Sequence, residues 1–126
     1  MSLYRTLAEI SGGPKSGKDE PVVQVPEVTT LQDKQSLINN NKLVIVDVYA
    51  DWCGPCQIAT PLYAKLYTKY KDLCVLVKEN VELGLSRGTV TVVPTFQIYI
   101  EGKLSKQITG VNIDEIEQII KLNLKL

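Results

Sequence analysis

Hydrophobic positions along the chain follow two periods. From Val22 a weak alternation through Val23, Val25 and Val28 predicts a short edge strand interrupted at Pro26. Leu43 to Tyr49 is an almost unbroken apolar and β-branched run, the pattern of a strand covered on both faces. Leu73 to Val77 and Thr95 to Ile100 read as further strands, and Glu101-Gly102 as a turn that returns Leu104 to Thr109 as a hairpin partner. Between the strands the period lengthens. Thr30, followed three residues on by Asp33, is a capping pair ahead of a helix over 31–39, which Asn39-Asn40-Asn41 ends. Ile58, Leu62, Leu66 and Tyr70 recur every four residues and predict a helix to about Lys71 with one apolar stripe, kinked at Pro61. Glu82 to Gly88 is turn-like, with room for one helical turn. Asn112 and Glu115 form a second capping pair, for a final helix buried through Ile113, Ile116, Ile119 and Ile120. The order is β-α-β-α-β-(short α)-β-β-α, an α/β arrangement with its parallel strands first and a hairpin last.

Composition narrows the class. With 126 residues, 44% of them hydrophobic, the chain can bury one core without staples. Fourteen basic residues balance fourteen acidic ones, so there is no electrostatic footprint for nucleic acid or an anionic membrane. No apolar run approaches the roughly 18 residues of a membrane span. The first ten residues carry Arg5 and Glu9 and lack the apolar core of a secretory signal. Ser11 to Pro21 is polar and glycine-rich, so residues 1–21 read as a flexible extension and 22–126 as the domain. Leu3, Leu7 and Ile10 have helical spacing, over too short a stretch to stand alone. The glycines around Lys18 do not complete a phosphate-binding loop.

Candidate chemistry concentrates at one junction. There is no histidine, which removes Cys-His and Ser-His nucleophile pairs. Three cysteines fall short of the four ligands of a structural zinc site. An odd count also argues against a secreted disulfide scaffold and favours a reducing compartment, the cytoplasm or an organelle. Trp52-Cys53-Gly54-Pro55-Cys56 stands where the strand ending at Tyr49 gives way to a helix. Two sulfurs three residues apart there are a dithiol that can close and open. The alternatives are an inert staple or half of a metal site.

With that pentapeptide in that setting, the chain resembles thioredoxin from about Val22 to its C-terminus. The elements fall in the family's order: Asp47 in the central strand, the Trp-Cys-Gly-Pro-Cys junction, Pro61 in the following helix, Val93-Pro94-Thr95, then Gly102 and Gly110. The resemblance implies a thioredoxin fold, a central mixed β-sheet flanked by helices on both faces. There are departures. Gln57 replaces a common basic residue, Val92 stands where a small residue is frequent, and the stretch from Glu82 to Pro94 is shorter. The N-terminal extension and Cys74 lie outside the pattern.

The resemblance also implies an activity: a thiol-disulfide oxidoreductase that reduces protein disulfides and maintains cell redox homeostasis. It would bind no cofactor and cycle a Cys53–Cys56 disulfide, with electrons from NADPH through a thioredoxin reductase. Its partners would be that reductase and disulfide-containing clients, with no nucleic acid and no membrane, and the chain a monomer. Cys53 at a helix N-terminus would have its thiol pKa lowered by the unpaired N–H groups and the dipole. Cys56 comes round to the same helix face, within disulfide reach. Gly54 and Pro55 form the intervening loop, and Pro55 has no N–H to lose in the first turn. Asp47, buried in an apolar strand, should titrate nearer neutrality and exchange a proton with Cys56 as general base and acid; the plainer alternative is an Asp that only binds backbone amides. Lys78 would match the family's lysine partner for that carboxylate, although Glu79 after it is unusual and a solvated lysine is the alternative. Pro94 is expected in the cis form, leaving the Val93 main chain to pair with a client strand beside Cys53. Trp52, Val92 and Val111 would be the apolar rim, and Cys74 a small core residue. A second reading makes the chain an interaction module docked in a larger assembly, because its motif and short later loop also look like dynein-associated axonemal members. A disulfide-forming or isomerising role is a third.

Overall fold

Leu43–Tyr49 (β2) runs through the middle of a five-stranded sheet, and every residue in it except Tyr49 is buried. The structure, a computed structural model, describes residues 23–126; the extension read over residues 1–21, and Val22, lie outside them. Around β2 the strands are Glu27–Val28 (β1), Val75–Asn80 (β3), Thr95–Ile100 (β4) and Lys103–Thr109 (β5), in the spatial order β1-β3-β2-β4-β5. β1, β3 and β2 pair parallel, while β4 and β5 pair antiparallel. The helices are Leu31–Asn40 (α1), Gly54–Tyr70 (α2) and Ile113–Leu124 (α3), with a 3-10 turn at Val81–Leu83. This is the mixed sheet expected, parallel first and closed by a hairpin. At Glu101 and Gly102 both φ values are positive, which is the two-residue turn geometry that suits the twist of a hairpin.

Alternation along β2 divides the core. Leu43 and Ile45, with Leu76, Phe96 and Ile98, face Tyr63 and Leu66 of α2 and Ile116 and Ile120 of α3. Val44, Val46 and Val48 face the other way, towards Ile38 of α1. Helices therefore cover both faces. Asp47 belongs to the α2 side by the same alternation, which places its carboxyl beneath the helix that carries the cysteines.

Three sequence expectations need correction. The α2 stripe is not Ile58-Leu62-Leu66-Tyr70: Ile58 is 62% and Leu62 39% exposed, and the buried line is Cys56, Ala59, Tyr63, Leu66 and Tyr70. A four-residue step advances about 400° around a helix of 3.6 residues per turn, so such a stripe drifts off any fixed face. Steps of three and four hold it. The third strand begins at Val75 rather than Leu73, because Leu73 and Cys74 both donate backbone bonds to the Tyr70 carbonyl and unwind the helix end. The reciprocal cap of α3 does not form: Asn112 donates instead to the Thr109 carbonyl at 2.7 Å, and Glu115 pairs with Lys106 at 2.9 Å. At α1 the Thr30 hydroxyl does accept from the Asp33 N–H, at 3.1 Å.

Candidate active site

β2 ends in a tight connection, and α2 starts two residues after Trp52. Cys53 is the N-cap of α2, with extended backbone (φ −93°, ψ 117°), and its sulfur accepts from the Cys56 N–H at 3.1 Å. Its carbonyl accepts the Gln57 N–H at 3.2 Å, and the Gln57 side chain donates back to the Asp51 carbonyl at 2.9 Å. Gln57, noted in the sequence only as a departure, thus fastens the junction. Pro55 occupies the first turn, where its missing N–H costs nothing. Cys53 and Cys56 are joined as a disulfide, with Cα atoms 5.2 Å apart and both residues buried. When the bond opens, Cys53 sits where backbone N–H groups and the helix dipole favour a thiolate.

The Val93–Pro94 peptide bond is cis, and the Val93 carbonyl oxygen lies 3.6 Å from the Cys53 sulfur. Ala50, Cys53 and Cys56 form a small apolar cluster against which Tyr49, Val81 and Val93 pack. Trp52 stands out at 71% exposed, its indole N–H donating to Glu82 Oε2 at 2.7 Å. Val92 is exposed beside Val93, while Val111 is half-buried against the main core. The structure therefore gathers Trp52, Cys53, Gly54, Pro55, Cys56, Val93 and Pro94 at one end of the sheet.

Asp47 lies beneath them. It is 6% exposed, its Oδ1 is buried without a hydrogen-bond partner among the described residues, and burial pushes its pKa up to about 7, opposed by the positive charge of Lys78. Lys78 is in register with Asp47 across the β2–β3 ladder. A cavity of about 90 Å³ opens beside the pair, lined among others by Val23, Tyr49, Thr60 and Tyr63. Its walls are mostly apolar, but Asp47, Thr60 and Lys78 supply polar groups, and that volume admits water. Thr60, one turn beyond Cys56 and on the cavity wall, donates to the Cys56 carbonyl at 2.9 Å. Tyr63 closes the floor, its hydroxyl 2.9 Å from the Val77 carbonyl and 3.1 Å from that of Ile45.

The sequence pattern does not pick out Glu82, Tyr49 or Glu27, yet Glu82 holds the Trp52 indole, the Tyr49 ring lies 5.5 Å from Lys78 Nζ, and Glu27 holds the Tyr49 hydroxyl. Isolated polar residues at strand ends carry no periodic signal. Glu79, the residue that clouds the Lys78 alignment, turns away from the site into a buried cluster on the α1 face, bonded to Lys34 and Ser86. Cys74 is half-buried against the core, and burial pushes its thiol up to about 11. Among the described residues no group of three or more His, Cys, Asp or Glu could hold a metal ion, and no helix is long and apolar enough to cross a membrane.

Comparison with known proteins agrees with this geometry. A family model described as Thioredoxin matches residues 24–122. Thioredoxin 1 of Plasmodium falciparum is 37% identical over 97 residues, which are 75% of this chain and 92% of that protein. A solved thioredoxin structure from Plasmodium falciparum superposes with a TM-score of 0.71 at 33% identity, over 78% of this chain and 98% of that one. Oxidised mitochondrial thioredoxin 3 of Saccharomyces cerevisiae gives 0.70 at 34% identity, over 77% and 93%.

Proposed function

The chain belongs to the thioredoxin family, and from that premise we propose how its residues divide the work of disulfide reduction. It is a protein-disulfide reductase that works through a Cys53–Cys56 dithiol-disulfide cycle and uses no bound cofactor. The assignment of steps is our reading. Cys53 thiolate attacks one sulfur of a client disulfide, the client S–S bond breaks, and one client thiolate leaves. Asp47, ionised, takes the proton of Cys56 through water in the adjoining cavity. Cys56 thiolate then attacks the Cys53 sulfur, closes the intramolecular disulfide and expels the second client thiolate. Two electrons have passed to the client. Asp47 returns its proton when the pair is reduced again, with NADPH as the source through a thioredoxin reductase.

Lys78 restrains the titration of Asp47 so that the carboxyl changes state near neutrality. Trp52, Gly54, Pro55 and Pro94 shape the client-facing surface, and the Val93 main chain pairs with an extended client segment. We take residues 22–126 as the catalytic domain and 1–21 as an extension, and the protein as a monomer. A dithiol that must be recycled suits a reducing compartment, and we assign the cytoplasm, with an organelle as the alternative that the mitochondrial relative raises. The docking-module reading gains no support from these relatives.

The observation that carries the mechanism is a closed dithiol at a helix N-terminus above a buried carboxyl whose Oδ1 has no hydrogen-bond partner among the described residues. The test is insulin reduction with NADPH and a thioredoxin reductase. Wild type should turn over and Cys53→Ser should not. Cys56→Ser should stall as a mixed disulfide that a gel detects. Turnover no faster than Cys53→Ser overturns the reading.

A further inference from the structure

Glu27, Lys78 and Asp47 stand in one row across three strands. Glu27 on β1 is in register with Lys78 on β3, and Lys78 with Asp47 on β2. Partners in register on parallel strands project from the same face. The row reads carboxylate, ammonium, carboxylate, so Lys78 has two candidate partners. Only one of them lies under the dithiol.

Tyr49 decides between them. It is two residues beyond Asp47 on β2 and so projects from that same face. Its side chain reaches past β3 to β1, where the hydroxyl donates to Glu27 Oε2 at 2.6 Å. On the way its ring passes the lysine, whose Nζ is 5.5 Å from the ring centre, within cation–π range. Among the described residues no ion pair joins Lys78 to Glu27 or to Asp47, and the ammonium acts on Asp47 through its charge across the ladder. The phenol also keeps its proton. Burial, then the bond to Glu27, hold its pKa well above the ordinary tyrosine range, so it stays a donor throughout the working pH range. Tyr49 also lines the cavity beside Asp47.

We propose that Tyr49 is a positioning residue for the proton step: it occupies Glu27 with its hydroxyl and seats the Lys78 ammonium on its ring, reserving that charge for Asp47. The inference rests on the reading of Asp47 as the proton carrier. Tyr49 also packs against the cluster of Ala50, Cys53 and Cys56, but in this role it acts through Lys78. Among the described residues the ionisable groups around Asp47 are Glu27 from β1, Tyr49 from its own strand, Lys78 from β3, and Tyr63 with the Cys56 thiol from α2. Phe96, opposite on β4, contributes no charge. Lys78 is the one cation in that set, so whatever diverts it moves Asp47 upward.

The test is the Asp47 titration, read from its carboxyl carbon by NMR, together with the pH profile of insulin reduction. Tyr49→Phe keeps the ring and removes the hydroxyl. Glu27, released, then competes for Lys78, and the Asp47 midpoint should rise by about half a pH unit, the scale of an exposed ion pair. Adding Glu27→Gln to Tyr49→Phe removes the competitor and should return the midpoint to the wild-type value. A merely structural role for Tyr49 predicts no such rescue. An unmoved or lowered midpoint in Tyr49→Phe, or a rise that Glu27→Gln does not reverse, overturns the inference. Asp47→Asn separates the two readings. If it leaves the pH profile of reduction unchanged, the Asp47 reading falls and the inference with it. If it flattens the profile, only the Tyr49 results bear on the inference.

Discussion

Lys34 and Glu79 form an ion pair at 2.7 Å in which the side chains are 5% and 0% exposed. The lysine spends its other two protons on Ser86 at 2.9 Å and Gln97 at 2.8 Å, and Ser86 donates onward to the second oxygen of Glu79 at 2.8 Å. One helix, two strands and the segment after the 3-10 turn meet at this cluster, on the sheet face away from α2. Its placement follows from alternation: Glu79 follows Lys78 on β3, so one serves the dithiol face and the other the α1 face.

Breaking this pair should cost more than removing it. Lys34→Met leaves a buried carboxylate unpaired, and Glu79→Leu leaves a buried ammonium, so each should destabilise by about 3–5 kcal/mol. The double variant should recover most of that loss, because two apolar side chains replace two desolvated charges. Urea denaturation of the four proteins measures the coupling. Insulin reduction at a temperature where all are folded should change little, since the cluster faces away from the cysteines.

Asp47 makes the protein's stability depend on pH in a stated direction. Its pKa is 3.8 unfolded and about 7 folded, so the native state holds the proton more tightly. The contribution is complete below pH 3.8 and is lost as pH rises to about 7. Three units at 1.36 kcal/mol each give about 4 kcal/mol. Asp47→Asn cannot ionise and escapes that loss. Its stability relative to wild type should therefore improve by about 4 kcal/mol between pH 4 and pH 8, while its rate of client release falls. Chemical denaturation at the two pH values checks the first half, and single-turnover reduction checks the second.

Cys74 should be nearly inert. A thiol held at about 11 is on the order of 0.1% ionised at pH 8, against about a quarter for an ordinary cysteine. After reduction, iodoacetamide at pH 8 should label Cys53 first and leave Cys74 on the order of 100-fold slower than a free cysteine. Peptide mapping by mass spectrometry reads the order directly. Cys74→Ala should leave the reduction rate unchanged.

Much of this was legible in the sequence because it rests on local rules. An unbroken apolar run gave β2 residue for residue, and the Cys-Gly-Pro-Cys junction carried the chemistry without help from tertiary structure. Asp47 was legible too, since burying a lone carboxylate in an apolar strand is costly and shifts its titration towards a useful range. What escaped depends on side chains that meet across elements. Nothing local joins Tyr49 to Glu27, 22 residues away, or Lys34 to Glu79, 45 away. A lysine in a short amphipathic helix reads as solvated unless its partner is known. The capping pair at Asn112 failed for a related reason, because Lys106 on the neighbouring strand offered Glu115 a charged partner.

The α2 register gives the sharpest test of how far pattern reading can mislead. Ile58 and Ala59 are neighbours in sequence, and hydropathy alone would bury the isoleucine. The structure does the reverse: Ile58 is 62% exposed, and Ala59 is fully buried between Cys56 and Tyr63 on the line that meets the sheet. A small residue there lets the helix approach closely enough for Tyr63 to reach the carbonyls of Ile45 and Val77. Ala59→Leu adds three carbons to a packed contact and should destabilise by about 1–3 kcal/mol or more. It should also slow reduction, since lifting α2 moves the cysteines it carries relative to Asp47. Ile58→Gln, although it deletes the larger apolar side chain, should stay within about 0.5 kcal/mol of wild type. Thermal and urea denaturation of the two variants decide the register, and equal losses would restore the four-residue stripe.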